Sequence, residues 1–374
     1  MSSVPYAPIS DFELLLQDNQ RQPTLFQELI HSYRRLATEI AEKLPRNPAR
    51  IYLVGCGDSL NAGMAVRYTW ENLLGIPVEA VPAMTFSRYA VETAPPGSLV
   101  IGLSQSGRVS RIIEALEVSK HRGFFTLALT ARADSPLASE VAELIRVFSF
   151  PKLGFVPGTT SYMAAILLYL ELAIALCTDF EASQSLRASI DQLPESLCQV
   201  SAACLPLAAQ HAGCIEKQRP VFVLGSGPHL ATAQFTARKF FEISQLIVLA
   251  QETEEYAHDG YSIVQPGDNV MLYAPPDRSN ERSLEIAGWL HHLNVQLAVA
   301  TSERQVDKFS PMAQIIYPLP ETCFELDPVI YAAPTGLLNY WVAKRLGGSY
   351  YAVASPIHYR DGDDQIYNSK IVVD

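Results

Sequence analysis

Residues 52–57 read Tyr-Leu-Val-Gly-Cys-Gly, and residues 222–227 read Phe-Val-Leu-Gly-Ser-Gly. The two segments lie 170 positions apart, and Leu60 and Leu230 keep the same offset. In each segment, an apolar run suited to a buried strand meets two glycines that allow a tight turn into a helix. The repeat predicts two copies of one fold in tandem.

Short apolar runs separated by amphipathic helices follow both segments. Runs that are apolar on both faces and alternate with helices are typical of a parallel sheet covered on each side. The sequence therefore predicts an α/β protein with two doubly wound domains. The predicted strands are Ile51–Val54, Val78–Val81, Leu99–Leu103, Thr126–Thr130 and Leu144–Phe148, then Val221–Leu224, Leu246–Ala250, Asn269–Ala274, Val295–Ala300 and Gln314–Tyr317.

The chain divides into five segments on this interpretation. We expect a helical lead-in over 1–48, a first domain over 49–180, a helical linker over 181–218, a second domain over 219–345 and a C-terminal tail over 346–374. The lead-in splits at Gln22-Pro23-Thr24, where Thr24 is predicted to cap the second helix just before Leu25.

Composition and charge exclude several classes of function. The 374 residues carry a formal net charge of -11, which argues against nucleic-acid binding because phosphate backbones need clustered Lys and Arg. The six cysteines form no CxxC pair, so we expect neither a disulfide framework nor a metal centre. The N-terminus shows no signal sequence, and the apolar stretch Met163–Cys177, interrupted by Glu171, is interpreted as too short for a bilayer. We expect a cytoplasmic protein without a membrane partner.

Ser104-Gln105-Ser106-Gly107 joins the run 99–103 to an amphipathic stretch that begins at Val109. Where a buried strand turns into a helix, the first backbone N–H groups lack intrahelical partners, and hydroxyls, an amide and a glycine there can surround an anion. The segment predicts a site for a phosphorylated small molecule. The second copy has Ala274-Pro275-Pro276-Asp277 there, which removes donors and adds negative charge, so we expect one phosphate site per chain.

Gly55-Cys56-Gly57 invites comparison with dinucleotide-binding loops. Such loops need a third glycine at the start of the helix and an acidic residue after the second strand, and this chain has Leu60 and Val81-Pro82 instead. Two interpretations stay open: the glycines, Gly57 included, make only a tight turn, or the hydroxyl of Ser59 also contacts the phosphate.

Gly57-Asp58-Ser59, Ser104-Gln105-Ser106-Gly107 and the tandem repeat together resemble the SIS (sugar isomerase) family, in particular the isomerase half of the glutamine:fructose-6-phosphate amidotransferases. The resemblance implies two flavodoxin-like domains, a sugar phosphate as the ligand, no cofactor and no metal. It also implies a homodimer with a shared active site and a tail that closes that site.

Three further positions match the catalytic residues of these enzymes. The resemblance implies that Glu242 transfers the proton, that His258 opens the sugar ring from its own or a neighbouring subunit, and that Lys370 forms a Schiff base with the open sugar. The residue types suit these roles, because a buried carboxylate can act as a base and a histidine titrates near neutral pH. An amine whose pKa is lowered can attack a carbonyl.

Taken singly, the three residues have simpler interpretations. Glu242 near a helix end is typical of a solvated side chain, and Lys370 lies close to the end of the chain. His258, in an acidic segment, is either a surface histidine or a metal ligand with Glu254, four residues earlier. Only their order along the chain favours the catalytic interpretation. Lys239, one turn before Glu242, is interpreted as part of a solvated face, with pairing to Glu242 or to the substrate as the alternatives.

Other candidate contacts surround the phosphate loop. After Gly107 the sequence differs from the family pattern and lacks a hydroxyl side chain that contacts the phosphate in these enzymes. Either Arg108 or Ser110 is expected to bind the phosphate in its place. Asp58, where these enzymes carry threonine, suggests a changed contact with sugar hydroxyls or with an amine. Thr159 begins a predicted helix and either contacts the substrate or caps the helix.

These observations favour a phosphosugar aldose–ketose isomerase. Because Met1 is followed by Ser2 and not by a cysteine nucleophile, we expect no glutaminase domain and favour an amino sugar 6-phosphate deaminase/isomerase. The alternatives are a fructosamine-type 6-phosphate deglycase and a regulator that binds sugar phosphates without catalysis.

Overall fold

A computed structural model describes residues 11–154, 156–348, 350 and 368–373. It begins with two helices, α1 (Phe12–Gln20) and α2 (Gln22–Ala41). The predicted cap at Thr24 is wrong, since α2 starts two residues earlier and the amide of Leu25 already donates to the Arg21 carbonyl, at 2.9 Å. Pro23 is compatible with this start because the first helical turn needs no amide donor there.

The first sheet has five parallel strands and confirms the doubly wound prediction. Its strands are β1 (Ile51–Gly55), β2 (Val78–Pro82), β3 (Leu99–Ser104), β4 (Phe125–Thr130) and β5 (Leu144–Val147). The order is β2-β1-β3-β4-β5, so the strand order reverses between β1 and β3. In such sheets, ligands bind beyond the carboxyl ends of the strands at this point.

The helices of the first half lie on both faces of this sheet and then lead into the second half. They are α3 (Asp58–Leu74), α4 (Ala83–Arg88) and α5 (Ser110–His121), followed by α6 (Thr159–Leu176), α7 (Phe180–Asp191) and α8 (Leu193–Cys214).

The second half repeats the first. Its strands are β6 (Val221–Leu224), β7 (Val248–Gln251), β8 (Asn269–Tyr273), β9 (Gln296–Ser302) and β10 (Ile315–Leu319), in the order β10-β9-β8-β6-β7. Its helices are α9 (Pro228–Ser244), α10 (Thr253–His258), α11 (Asn280–His292), α12 (Val306–Phe309) and α13 (Asp327–Leu346). Helix α9 begins and ends 170 residues after α3, and α11 begins 170 residues after α5.

The two halves meet through helices, and side chains from both contribute to one hydrophobic core. Helix α3 packs against α9, and α13 packs against α8 and α9. The ring of Tyr162 on α6 stacks on Phe235 of α9, with ring centroids 3.9 Å apart. Helices α3 and α9, which belong to opposite halves, therefore both lie at the interface between the halves.

Helix α6 is the apolar stretch noted in the sequence. It starts four residues before Met163, and its 18 residues are long and apolar enough to cross a membrane, so the length argument against a span is wrong. However, 83% of this segment is buried inside the protein, which is typical of a core helix.

Candidate active site

The predicted phosphate loop is a tight turn between β3 and α5. Gly107 has a φ of 65°, and its amide donates to the carbonyl and hydroxyl oxygens of Ser104, both at 3.1 Å. A Cβ at Gly107 would lie 2.0 Å from the Ser135 Oγ and 2.6 Å from the Thr130 Oγ1. Only glycine fits here, because both the backbone conformation and the space exclude a side chain.

The residues after this turn complete the loop. Ser106 accepts a hydrogen bond from the Arg108 amide at 3.3 Å, and Ser110 begins α5 with only 2% of its surface exposed. No side chain of the described residues caps α5. The amides of Gly107 and Arg108 thus donate within the loop, and its contact with phosphate stays a prediction.

The turn between β1 and α3 uses its own hydroxyl. Ser59 accepts a hydrogen bond from the Cys56 amide at 3.0 Å and donates one to the Cys56 carbonyl at 2.9 Å. Gly57 has a φ of 60°, and a Cβ at Gly55 would lie 2.5 Å from the Leu60 nitrogen. The glycines are required for the turn and Ser59 closes it, while its contact with phosphate stays a prediction.

A cavity of about 190 Å³ lies next to both turns, and Asp58 and Gln105 line it together with Gly158. Two buried polar atoms of this lining, Asp58 Oδ1 and Gln105 Nε2, lack hydrogen-bond partners among the described residues, as does Oγ1 of Thr159, which follows Gly158 in the chain. The cap of α6 is Gly158, so the alternative that Thr159 serves as the N-cap is wrong. Unpaired buried polar atoms are costly, and a polyhydroxy ligand would satisfy them.

Lys239 joins the two halves of the chain at this cavity. Its ammonium lies 2.8 Å from Asp58 Oδ2 and 2.5 Å from Glu242 Oε2, and only 1% of the side chain is exposed. The expectation of a solvated Lys239 is therefore wrong. The alternative that Lys239 pairs with Glu242, one turn away on the same helix face, is confirmed. The partner that sequence reasoning missed is Asp58, 181 residues away in the chain.

Glu242 lies in surroundings that favour its protonated form. Burial raises the pKa of its carboxyl, Lys239 opposes this by lowering it, and Asp58 raises it further, with a net shift upward. A carboxylate with a raised pKa is a stronger base, as a group that removes protons from carbon must be.

The end of the chain folds back onto α5 of the first half. Arg111 donates to the hydroxyl of Ser369 at 2.9 Å and also contacts the carbonyl of Lys370, whose side chain is exposed. Further along both segments, the amide of Val372 in the tail donates to the carboxylate of Glu114 on α5 at 2.9 Å. Lys370 is thereby held beside the start of α5, where the phosphate loop ends.

Glu114 is the centre of this attachment, and none of its side chain is exposed. Arg88 binds both carboxylate oxygens at 2.8 and 2.9 Å, Ser87 donates at 2.8 Å, and Arg111 approaches to 2.6 Å. Burial alone would raise the pKa of Glu114, but the Val372 amide and these partners outweigh it and hold the pKa below its ordinary value.

Residues 46–175 and 214–315 match the SIS domain. The chain belongs to the SIS domain family. The family prediction is confirmed, as are the two tandem α/β domains with parallel sheets.

This SIS protein is homologous to the isomerase half of glutamine–fructose-6-phosphate aminotransferases. It is 28% identical over 305 residues to the isomerizing enzyme of Caulobacter vibrioides, an alignment that covers 79% of this chain and 49% of the relative. The chain thus spans about half the length of the curated relatives it matches.

Solved structures share its fold. The C-terminal domain of glucosamine-fructose-6-phosphate aminotransferase from Francisella tularensis superposes with a TM-score of 0.77 at 20% identity, covering 94% of this chain and 100% of that one. Glucosamine-6-phosphate deaminase from Thermotoga maritima superposes with a TM-score of 0.68 at 20% identity, covering 90% and 96%.

His258 lies apart from the other predicted catalytic residues of this SIS protein. It is exposed at the end of α10, and no contact among the described residues joins it to Glu242. Glu254, its candidate partner on a metal, instead pairs with Arg282 at 2.6 Å. Within the described residues, no group of three or more His, Cys, Asp or Glu side chains is arranged to hold a metal ion.

Proposed function

We propose that this protein is a phosphosugar aldose–ketose isomerase and, more narrowly, an amino sugar 6-phosphate deaminase/isomerase. One observation carries the proposal: Lys239 links Glu242 of the second half to Asp58 of the first, at the edge of a cavity that the phosphate loop also lines. The site thus combines a base, a cation and an anion loop between the two SIS domains.

The proposed reaction moves a proton between neighbouring carbons of the open sugar. Glu242 takes the proton from C2 of the aldose while the C1 carbonyl oxygen gains a proton, which gives an enediol. Glu242 then returns its proton to C1 and, where C2 carries a hydroxyl, that hydroxyl releases its proton as it becomes the ketose carbonyl, which balances the proton gained at the C1 oxygen. The ammonium of Lys239, 2.5 Å from Glu242, stabilises the negative charge that develops on the oxygens.

With an amino sugar, the same proton transfer leaves an iminium group at C2. Water adds to this carbon, the carbon–nitrogen bond breaks, and ammonia and the ketose phosphate are released. Asp58 supports this narrower proposal, because its Oδ1 is buried beside the cavity without a partner in the described part of the chain and is suited to an ammonium group.

The remaining predicted contacts are assigned by position. The loop 104–107 and the start of α5, with Arg108 and Ser110, would hold the phosphate. Thr159 and Gln105 would bind sugar hydroxyls. Lys370, held by Arg111 beside this loop, would form the Schiff base with the open sugar.

We also propose that the protein acts as a homodimer and that His258 serves the site of the neighbouring subunit. Apolar side chains are exposed on the same half as His258, which supports a partner copy there. They are Phe241, Ile247, Leu249, Tyr261 and Ile263, with exposed fractions of 48%, 73%, 39%, 50% and 55%.

Ammonia release from glucosamine 6-phosphate and related amino sugar phosphates tests the proposal. We expect turnover by the unmodified protein, and a loss of about 100-fold or more in kcat for Glu242→Gln, because the amide cannot accept the proton. Glu28→Gln, a change at an exposed position on α2, is the matched control and should keep full activity.

The same assay separates the alternatives. Release of a free amino acid from fructosamine 6-phosphates, without ammonia, would assign the deglycase reaction instead. Ligand binding without turnover, unaffected by Glu242→Gln, would assign the role of a regulator and refute the enzymatic proposal.

A further inference from the structure

A second and larger cavity, of about 600 Å³, lies between the two halves on the other side of the interface. Ser226 and Gly227 line it from the turn that precedes α9, and Asp277 and Ser279 line it from the turn that precedes α11. Asn72 of α3 contributes from the opposite half. The turns that line this cavity are the second-half counterparts of the two turns beside the first cavity.

The offset of 170 residues makes this correspondence specific. Ser226 and Gly227 stand where the first half has Cys56 and Gly57, and Asp277 stands where it has Gly107. On the opposite side, Asn72 occupies the position of Glu242.

The second cavity lacks the groups that catalysis would need. Asn72 cannot accept a proton from carbon as the Glu242 carboxylate can. At the position of Lys239 the first half has Thr69, which is buried and carries no charge. A ligand in this cavity would therefore be bound and released unchanged.

Phosphate is also disfavoured in the second cavity. Pro228 in the first turn of α9 and the pair Pro275-Pro276 lack the amide N–H groups that would bind an anion. Asp277 occupies the turn with a carboxylate that accepts the amide and hydroxyl of Ser279 at 2.8 and 2.7 Å. Glu325 adds a second negative charge to the lining.

The remaining groups suit an aminated sugar. Asp277 and Glu325 outnumber Arg278, the cation of the lining, so the walls carry a net negative charge that attracts an ammonium group. Tyr68 and Phe324 offer aromatic surface for the apolar face of a sugar ring. The amide of Asn72 can both donate to and accept from hydroxyls.

We propose that the second cavity is a non-catalytic binding site for an amino sugar without a phosphate group. The proposal does not depend on the reaction at the first site, since it rests on the lining of the second.

Binding of glucosamine to the full chain, measured by calorimetry or by saturation-transfer NMR, tests this inference. We expect saturable binding of glucosamine and weaker binding of glucose, which lacks the amine. Glu325→Gln and Asn72→Leu should each weaken glucosamine binding by about tenfold, as the loss of a hydrogen bond to a charged group or to a sugar hydroxyl does. Both variants should keep the ammonia-release activity of the unmodified protein.

Glu242→Gln and Gln105→Ala are the matched changes at the first site, and they should leave glucosamine binding unaltered. The inference is overturned if glucosamine does not bind saturably, or if the first-site variants abolish binding while Glu325→Gln and Asn72→Leu do not. Failure of the deaminase proposal would leave these binding results unchanged, so the two proposals fail separately.

Discussion

Arg111 is expected to control whether the C-terminal tail stays on the first domain. Its guanidinium, 17% exposed, contacts the tail at the Ser369 hydroxyl and the Lys370 carbonyl. Hydrogen bonds to charged groups contribute about 1.5 kcal/mol each at the low end, so Arg111→Ala should weaken the attachment by about 3 kcal/mol. That corresponds to roughly a 100-fold increase in the detached fraction.

The variant should stay folded, because Glu114 keeps its two bonds to Arg88 after Arg111 is removed. The assay is limited trypsin digestion with mass spectrometry of the peptide that begins at Ile371, since cleavage after Lys370 requires the backbone to leave the surface. We expect cleavage to accelerate by one to two orders of magnitude when opening is fast relative to cleavage.

Arg122→Ala is the matched control, because Arg122 follows the same helix and pairs with the exposed Glu92, away from the tail. It should cleave after Lys370 at the rate of the unmodified protein. Equal cleavage rates for Arg111→Ala and Arg122→Ala would show that Arg111 does not hold the tail and would refute the reasoning.

Three further predictions concern charge and space. Asp58→Asn removes a carboxylate that raises the pKa of Glu242, so the pKa of Glu242 should fall and the acidic limb of the pH–rate profile should move to lower pH. An acidic limb at the same pH in the variant would contradict this. Burial raises the pKa of Asp327 to about 7, so ionisation of this carboxyl lowers the free energy of unfolding as the pH rises from about 4 to 7. Asp327→Asn should therefore stabilise the fold by about 1–3 kcal/mol at pH 8 but not at pH 4. Urea titrations at both pH values measure this difference. Gly107→Ala should lower the free energy of unfolding by about 1–3 kcal/mol more than Gly123→Ala does in the same titrations. Both glycines have positive φ, but only Gly107 has close neighbours that an added Cβ would meet. Equal losses for the two variants would rule out the clash.

The strands could be predicted because each is built on a short apolar run, and β1, β3, β6 and β8 are buried along their whole length. Strand β6, for example, has the predicted bounds Val221–Leu224, and all four of its residues are buried. The turn predicted to bind phosphate was located for the same reason, since it follows such a run directly. Local pattern suffices where one strand and its adjacent turn determine the structure.

The groups around the predicted base could not be found in this way. The partner of Lys239 in the first half is Asp58, 181 residues away, and a lysine beside a glutamate on a helix is usually solvated. The attachment of the tail joins Glu114 to Val372, which are 258 residues apart. Burial of a charged side chain depends on such distant partners, and periodicity does not reveal them.

The bridge between Asp58 and Lys239 also determines when the site can form during synthesis. A ribosome adding roughly 5–20 residues per second completes Asp58 roughly 10–35 s before it reaches Lys239, 181 residues later. The first domain therefore emerges, and has time to fold, while its half of the bridge is still unpaired. Assembly of the site is necessarily a late event, which follows folding and docking of the second domain.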